Sequence, residues 1–192
     1  IRKLKDYIKL LRVKHYIKNL LVFLPVFFSG AIFDEGKFVR AGLGFLCFCF
    51  VSSSVYILND YRDIEKDRRH PIKKNRPLAS GRISSQKALA IMVGCLVVAI
   101  GITVALRSKG GAILLCLYFF LNVAYSMGLK DKPIVDIIIL ASGFVIRVFY
   151  GGFITDIEIS KWLYLVVTVG SLYMGLGKRR NELRAQTDTR EV

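Results

Sequence analysis

Asn59, Asp60, Asp63 and Asp67 stand in the stretch Asn-Asp-Tyr-Arg-Asp-Ile-Glu-Lys-Asp, where a long apolar run gives way to a strongly basic loop. Carboxylates crowded into two helical turns repel one another unless a cation intervenes. If the stretch is helical, positions 60, 63 and 67 share a face, with the Asn59 amide beside them. A hard divalent ion with oxygen ligands, Mg²⁺ above all, removes the repulsion and completes its shell with substrate phosphate oxygens. The competing reading is a solvated helix end whose acids pair with Arg62, Lys66, Arg68 and Arg69.

The residues that follow favour the metal. From His70 to Gly81 the chain reads His-Pro-Ile-Lys-Lys-Asn-Arg-Pro-Leu-Ala-Ser-Gly, cations interleaved with turn formers that hold a loop bent. Lys73 and Lys74 can act as point charges toward phosphate, and the planar fork of Arg76 can bind two phosphate oxygens at once. Acids for a metal beside bases for phosphate describe a diphosphate site. His70 reads as a turn residue rather than a base.

Three further groups of residues could join this chemistry. Tyr125 to Lys130 leads into Asp131 and Asp136; Pro133 breaks the intervening segment, and Asp136 opens the next apolar stretch. Lys178, Arg179 and Glu182 form a later charged motif, in which Lys178 and Glu182 at i and i+4 could equally be a local ion pair. Arg147 lies inside an apolar stretch, where an ionisable residue is a functional candidate by default; a snorkelling side chain is the alternative.

Apolar elements must carry these residues. Hydrophobic residues make up 54% of the 192 positions although the net charge is +15, so the cations sit between apolar stretches, unlike those of a soluble nucleic-acid binder. Six stretches approach the ~20 apolar residues needed to cross a bilayer: about 16–33, 37–58, 87–106, 110–128, 134–154 and 161–177. The expected fold is an all-α, polytopic transmembrane bundle of one domain. Positive residues mark the cytoplasmic side. Residues 59–87 hold nine Lys+Arg, whereas the three turns of the opposite side share five, so both termini and the 59–86 loop are expected in the cytoplasm of a cell-membrane protein. Residues 1–15 carry Leu4, Ile8, Leu11 and His15 at helical spacing opposite Lys3, Lys5, Lys9 and Arg12, the pattern of an interfacial helix on anionic lipid. Cys47, Cys49, Cys95 and Cys116 fall within spans without metal-ligand spacing and read as packing residues.

With these motifs assembled, the chain resembles the UbiA superfamily of intramembrane prenyltransferases, whose first aspartate-rich motif has the form NDxxDxxxD. The likeness extends through Tyr16 to Leu20, Ser54 to Asp60, His70-Pro71 with Lys73 and Arg76-Pro77, Tyr125 with Gly128 to Lys130, and Gly177 to Arg179 with Glu182-Leu183. Together these are similar to the decaprenyl-phosphate phosphoribosyltransferase branch, over about residues 12–184. The resemblance implies Mg²⁺-dependent transfer of 5-phosphoribose from phosphoribosyl diphosphate to a polyprenyl phosphate, a step toward a cell-wall lipid precursor. It implies that Asn59, Asp63 and Asp67 hold the metal and diphosphate with Asp60 in support, and that Lys73, Arg76 and Lys130 contact phosphate. Lys18, Tyr125, Asp136, Lys178, Arg179 and Glu182 would serve in the other cytoplasmic motifs. The superfamily fold has about nine spans against six read here, so the resemblance implies a domain incomplete at its C-terminus. Two alternatives stand beside it: an aromatic or quinone prenyltransferase using the same metal site, and an inactive membrane fragment that binds lipid phosphate. Membrane lipids are the expected surroundings, and a homo-oligomer is left open.

Overall fold

The computed structural model describes residues 2–129 and 133–188, which are almost entirely helical. α1 (Arg2–Leu11) ends where Arg12 adopts a left-handed conformation, and a 3₁₀ segment (Val13–Phe23) and a short α2 (Leu24–Phe28) follow. Next come α3 (Glu35–Arg62), α4 (Ile64–Arg69), α5 (Ser85–Leu106), α6 (Lys109–Ser126), α7 (Pro133–Thr155) and α8 (Lys161–Asp188).

Four of these helices are long and apolar enough to cross a membrane: α3, α5, α6 and residues 134–155 of α7. The six expected spans therefore resolve differently at two places. Residues 16–33 do not form one α-helix but divide among the 3₁₀ segment, α2 and a turn at Gly30, with Pro25 in the first turn of α2. Residues 161–177 are helical as expected, but α8 runs on through the charged residues beyond them and is not among the four. The amphipathic N-terminal helix is also shorter than residues 1–15. Its Leu4 and Ile8 remain exposed, while Leu10 is fully buried beside Ile57 and Leu78.

Two helices form the middle of the bundle. Three-fifths of the apolar window of α3 and of α7 is buried (61% each), against 17% for α5 and 22% for α6, so α3 and α7 carry the interior and α5 and α6 face outward. Asp34 caps α3 by accepting a hydrogen bond from the Lys37 N–H at 3.0 Å, satisfying one of the donors left open at a helix start. The central contact is aromatic. Phe48 packs against Tyr118 and Tyr150 with ring centroids 4.6 and 5.4 Å away, pairs worth about 0.5–1.5 kcal/mol each beyond simple burial. The 3₁₀ segment reaches this core because Gly151 lets its backbone approach α7: a Cβ there would stand 2.1 Å from the Val22 carbonyl oxygen. That close approach brings residues 12–19 against α3 and α7.

Candidate functional site

One cavity of about 590 Å³ opens among the 3₁₀ segment, α3, α4, α6, α7 and α8. Asn59, Asp63 and Asp67 all line it. They are spaced four residues apart, and although Asp63 interrupts regular helix (φ −92°, ψ 8°), the turn continues through Asp63 N–H to Asn59 O at 3.0 Å and Asp67 N–H to Asp63 O at 2.7 Å. The three side chains thus share a face as i, i+4 and i+8 residues do on one helix.

Asp60 does not join them. Asp60 shares a face with Asp67 as expected, since one Arg76 nitrogen bonds both, but it is 3% exposed and is absent from the cavity wall. Its Oδ1 accepts from Arg12 Nη2 at 2.5 Å and from Arg76 Nη1 at 3.0 Å. The same Arg76 nitrogen donates to Asp67 Oδ2 at 2.7 Å. One guanidinium therefore ties a buried structural carboxylate to a cavity carboxylate. Arg12 also stacks over Tyr56, 4.7 Å from the ring centre, which fixes its planar group between ring and acid.

The remaining expected residues are distributed as follows. Lys18, Lys73, Arg76, Tyr125, Asp136, Arg147 and Arg179 all line the cavity. Tyr125 donates its hydroxyl to Asp136 Oδ1 at 2.8 Å, joining the end of α6 to the start of α7. Lys130 and Asp131 lie outside the described residues. Lys178 and Glu182 belong to α8, with side chains also outside them. His70 closes a turn, its Nδ1 accepting from the Ile72 and Lys73 N–H groups at 3.2 and 3.3 Å.

Sequence reasoning missed several wall residues: Arg12, His15, Tyr56, Tyr118, Asn122 and Phe144. It also missed Asn19, which is 1% exposed and accepts from Arg147 Nε at 2.9 Å while its amide faces Cys49 and Ser52. An asparagine within an apolar run is the signal that could have marked it, since a buried amide needs polar partners. His15 is held below its ordinary pKa of 6.5, first by burial and then by Lys18 and Arg12.

Charge on the wall is lopsided. Arg12, Lys18, Lys66, Lys73, Arg76, Arg147 and Arg179 are seven cations, against the three carboxylates of Asp63, Asp67 and Asp136. Such a cavity attracts polyanions. Whether it also suits Mg²⁺ turns on the donors present. No three His, Cys, Asp or Glu side chains among the described residues are grouped closely enough to hold a metal by themselves. Asn59 Oδ1, however, is buried without a hydrogen-bond partner, a costly state for a carbonyl oxygen. With Asp63 and Asp67 on the same wall it supplies a hard oxygen set. Mg²⁺ needs only one or two carboxylates when phosphates and water complete its shell, so these residues fit a metal that arrives with its substrate.

Residues 22–181 match the model of the UbiA prenyltransferase family. Decaprenyl-phosphate phosphoribosyltransferase of Corynebacterium glutamicum is 38% identical over 181 residues, covering 92% of this chain and 54% of that protein. The same-named enzyme of Mycolicibacterium smegmatis is 39% identical, covering 92% and 57%. The chain thus spans little more than half the length of these relatives. Among solved structures, a digeranylgeranylglyceryl phosphate synthase superposes with a TM-score of 0.75 at 21% identity, over 100% of this chain and 67% of that one. A UbiA homolog from Archaeoglobus fulgidus bound to DMAPP and Mg²⁺ gives 0.74 at 23% identity, over 87% and 60%. At those identities the likeness concerns the fold.

Proposed function

The chain belongs to the UbiA prenyltransferase family, and from that premise we propose that it is a Mg²⁺-dependent transferase moving 5-phosphoribose from phosphoribosyl diphosphate to a polyprenyl phosphate. The observation that carries the choice is the excess of seven cations over three carboxylates around one cavity. A prenyl diphosphate with an aromatic acceptor such as 4-hydroxybenzoate brings one diphosphate and one carboxylate. Phosphoribosyl diphosphate with a lipid phosphate brings a diphosphate and two monoesters. The names of the 38–39% identical relatives support the same choice.

In this reading Asn59, Asp63 and Asp67 hold the metal against the diphosphate. Bound there, Mg²⁺ supplies charge neutralisation of the leaving group. Lys66, Lys73 and Arg179 surround the same phosphate oxygens. Arg76 spends Nη1 on Asp60 and Asp67 and offers its remaining N–H groups to phosphate. The ribose C1–oxygen bond to diphosphate breaks, diphosphate departs with the electron pair, and an oxygen of the lipid phosphate forms the new bond to C1. The basic wall stabilises the charge that builds on the departing group. The acceptor is already an anion, so positioning matters more than a general base. Val55, Ile139, Leu140 and Phe144 give the same cavity an apolar side suited to a prenyl chain. The Asn59 end faces the cytoplasm, as the basic loop around it requires, with both termini on that side of the cell membrane.

The test is donor choice. The protein, reconstituted in nanodiscs with Mg²⁺, is offered labelled phosphoribosyl diphosphate with polyprenyl phosphate, and in parallel labelled prenyl diphosphate with 4-hydroxybenzoate. Label should move to lipid only from the first donor. Transfer from the second alone would assign the aromatic prenyltransferase activity instead.

A further inference from the structure

We propose that the Arg147 end of the cavity is a separate subsite for a phosphate monoester, spatially distinct from the diphosphate end at Asn59 to Asp67. Arg147 is 5% exposed and lies within the span of α7, yet it forms part of the cavity wall. Its three hydrogen bonds go to neutral oxygens: Nε to Asn19 Oδ1 at 2.9 Å, Nη1 to Gly143 O at 2.6 Å, and Nη2 to the Tyr118 hydroxyl at 3.1 Å. Its guanidinium carbon lies 4.9, 5.0 and 5.9 Å from the ring centres of Phe48, Tyr118 and Phe144. No carboxylate among the described residues pairs with it.

A full positive charge in this setting is expensive for the fold. Desolvating an ion costs several kcal/mol even after relaxation, and neutral partners recover only part of it; the surrounding rings add cation–π attraction that is modest per contact. If packing were the residue's whole purpose, a neutral side chain of similar volume would serve better. The arrangement instead holds the group rigid. A guanidinium has five N–H donors; with three engaged, one N–H remains on each terminal nitrogen and is available to phosphate oxygens. Lys18, whose ammonium lies 5.7 Å from the Phe144 ring centre, adds a second cation to this part of the wall.

Depth separates this end from the metal end. The guanidinium lies against Phe48, eleven residues before Asn59 on α3, which is about 16 Å along that helix at 1.5 Å per residue. A diphosphate held by Asn59, Asp63 and Asp67 at the rim would leave this cation unused. It is available to the 5-phosphate of the sugar donor or to the head group of the lipid acceptor. Both are phosphate monoesters. The transferase reading enters only in naming these two sources; the subsite follows from the buried cation.

Binding, measured without turnover, tests it. The full chain in detergent is titrated with ribose 5-phosphate against ribose, with dodecyl phosphate against dodecanol, and with Mg²⁺-diphosphate. The variants are Arg147→Gln, which removes the charge, and Asn19→Asp, which leaves the guanidinium but gives it an internal carboxylate. Either variant should weaken a monoester by about tenfold or more, the scale of a lost buried charge contact, and leave Mg²⁺-diphosphate within about twofold. Loss for ribose 5-phosphate alone assigns the subsite to the donor, and loss for dodecyl phosphate alone assigns it to the acceptor; both sustain it. Should Arg147→Gln not fold, Asn19→Asp carries the same comparison. Unchanged monoester affinity, or a parallel fall in diphosphate affinity, overturns the proposal. A wild-type protein that ignores phosphoribosyl diphosphate in turnover would strike the transferase reading and leave these titrations intact.

Discussion

Replacing Asp60 by Asn should destabilise the fold and leave the metal site able to bind, whereas Asp63→Asn should abolish that binding. Asp60 is 3% exposed and receives charge-assisted hydrogen bonds from Arg12 and Arg76 at 2.5 and 3.0 Å. Removing one partner of a buried pair costs about 3–5 kcal/mol when the remaining charge stays buried. Here both arginines are partly solvated, with 20% and 26% of their side chains exposed. Arg76 also keeps Asp67, so roughly 2 kcal/mol is the appropriate figure. For a chain of this size that lowers the unfolding midpoint by about 4–8 °C. The buried thiols of Cys47, Cys49 and Cys95 provide the readout, since they meet a thiol-reactive dye only on unfolding, whereas exposed Cys116 sets the baseline. Asp63→Asn should lose Mg²⁺-diphosphate binding. An Asp60→Asn protein with unchanged midpoint and abolished Mg²⁺-diphosphate binding would refute the division between structural and cavity carboxylates.

Arg76→Lys should be mild for stability, because both carboxylate contacts come from one nitrogen that an ammonium can replace; Mg²⁺-diphosphate affinity should nevertheless fall about tenfold as the other N–H groups are lost. A midpoint drop as large as that of Asp60→Asn would contradict this. Gly151→Ala should cost about 3 kcal/mol, the upper end for overpacking, since the obstruction is the Val22 backbone rather than a movable side chain; dye accessibility unchanged from wild type would count against the close approach. His15 should make the fold less stable in acid. Its folded pKa lies below 6.5, so the unfolded chain takes up the proton first and the loss begins as pH falls through 6.5. His15→Gln should flatten that slope between pH 7.5 and 5.5, and an equal slope in the variant would exclude the histidine as its source.

Most of the site was legible because its chemistry is crowded into short segments. Helical spacing and the neighbouring basic loop grouped Asp60, Asp63 and Asp67 with Asn59 beside them as a metal and phosphate site, and of these Asn59, Asp63 and Asp67 line the cavity. The role of Asp60 was not legible. A face assignment from spacing alone cannot see Arg12, 48 residues away, which claims that carboxylate. The four membrane-length helices followed from apolar length, whereas residues 16–33 have the composition of a span without its conformation. Their backbone packs at Val22 against Gly151, a tertiary contact that composition does not encode. Arg147 stood out as a charge inside a span. Its partners Asn19 and Tyr118 come from distant elements that only the folded chain brings together.

Single-turnover transfer tests the central claim most directly. The protein in nanodiscs containing polyprenyl phosphate is mixed with phosphoribosyl diphosphate labelled in the ribose, with Mg²⁺ or with a chelator, as wild type and as Asp63→Asn. Label should appear in the lipid fraction, with diphosphate released in equal amount, only for the wild type with Mg²⁺. Asp63→Asn should fall by about 10²-fold or more, the scale of a lost electrostatic contact to a developing anion. Equal transfer in chelator, or equal transfer by Asp63→Asn, would contradict a metal-held diphosphate at Asn59, Asp63 and Asp67.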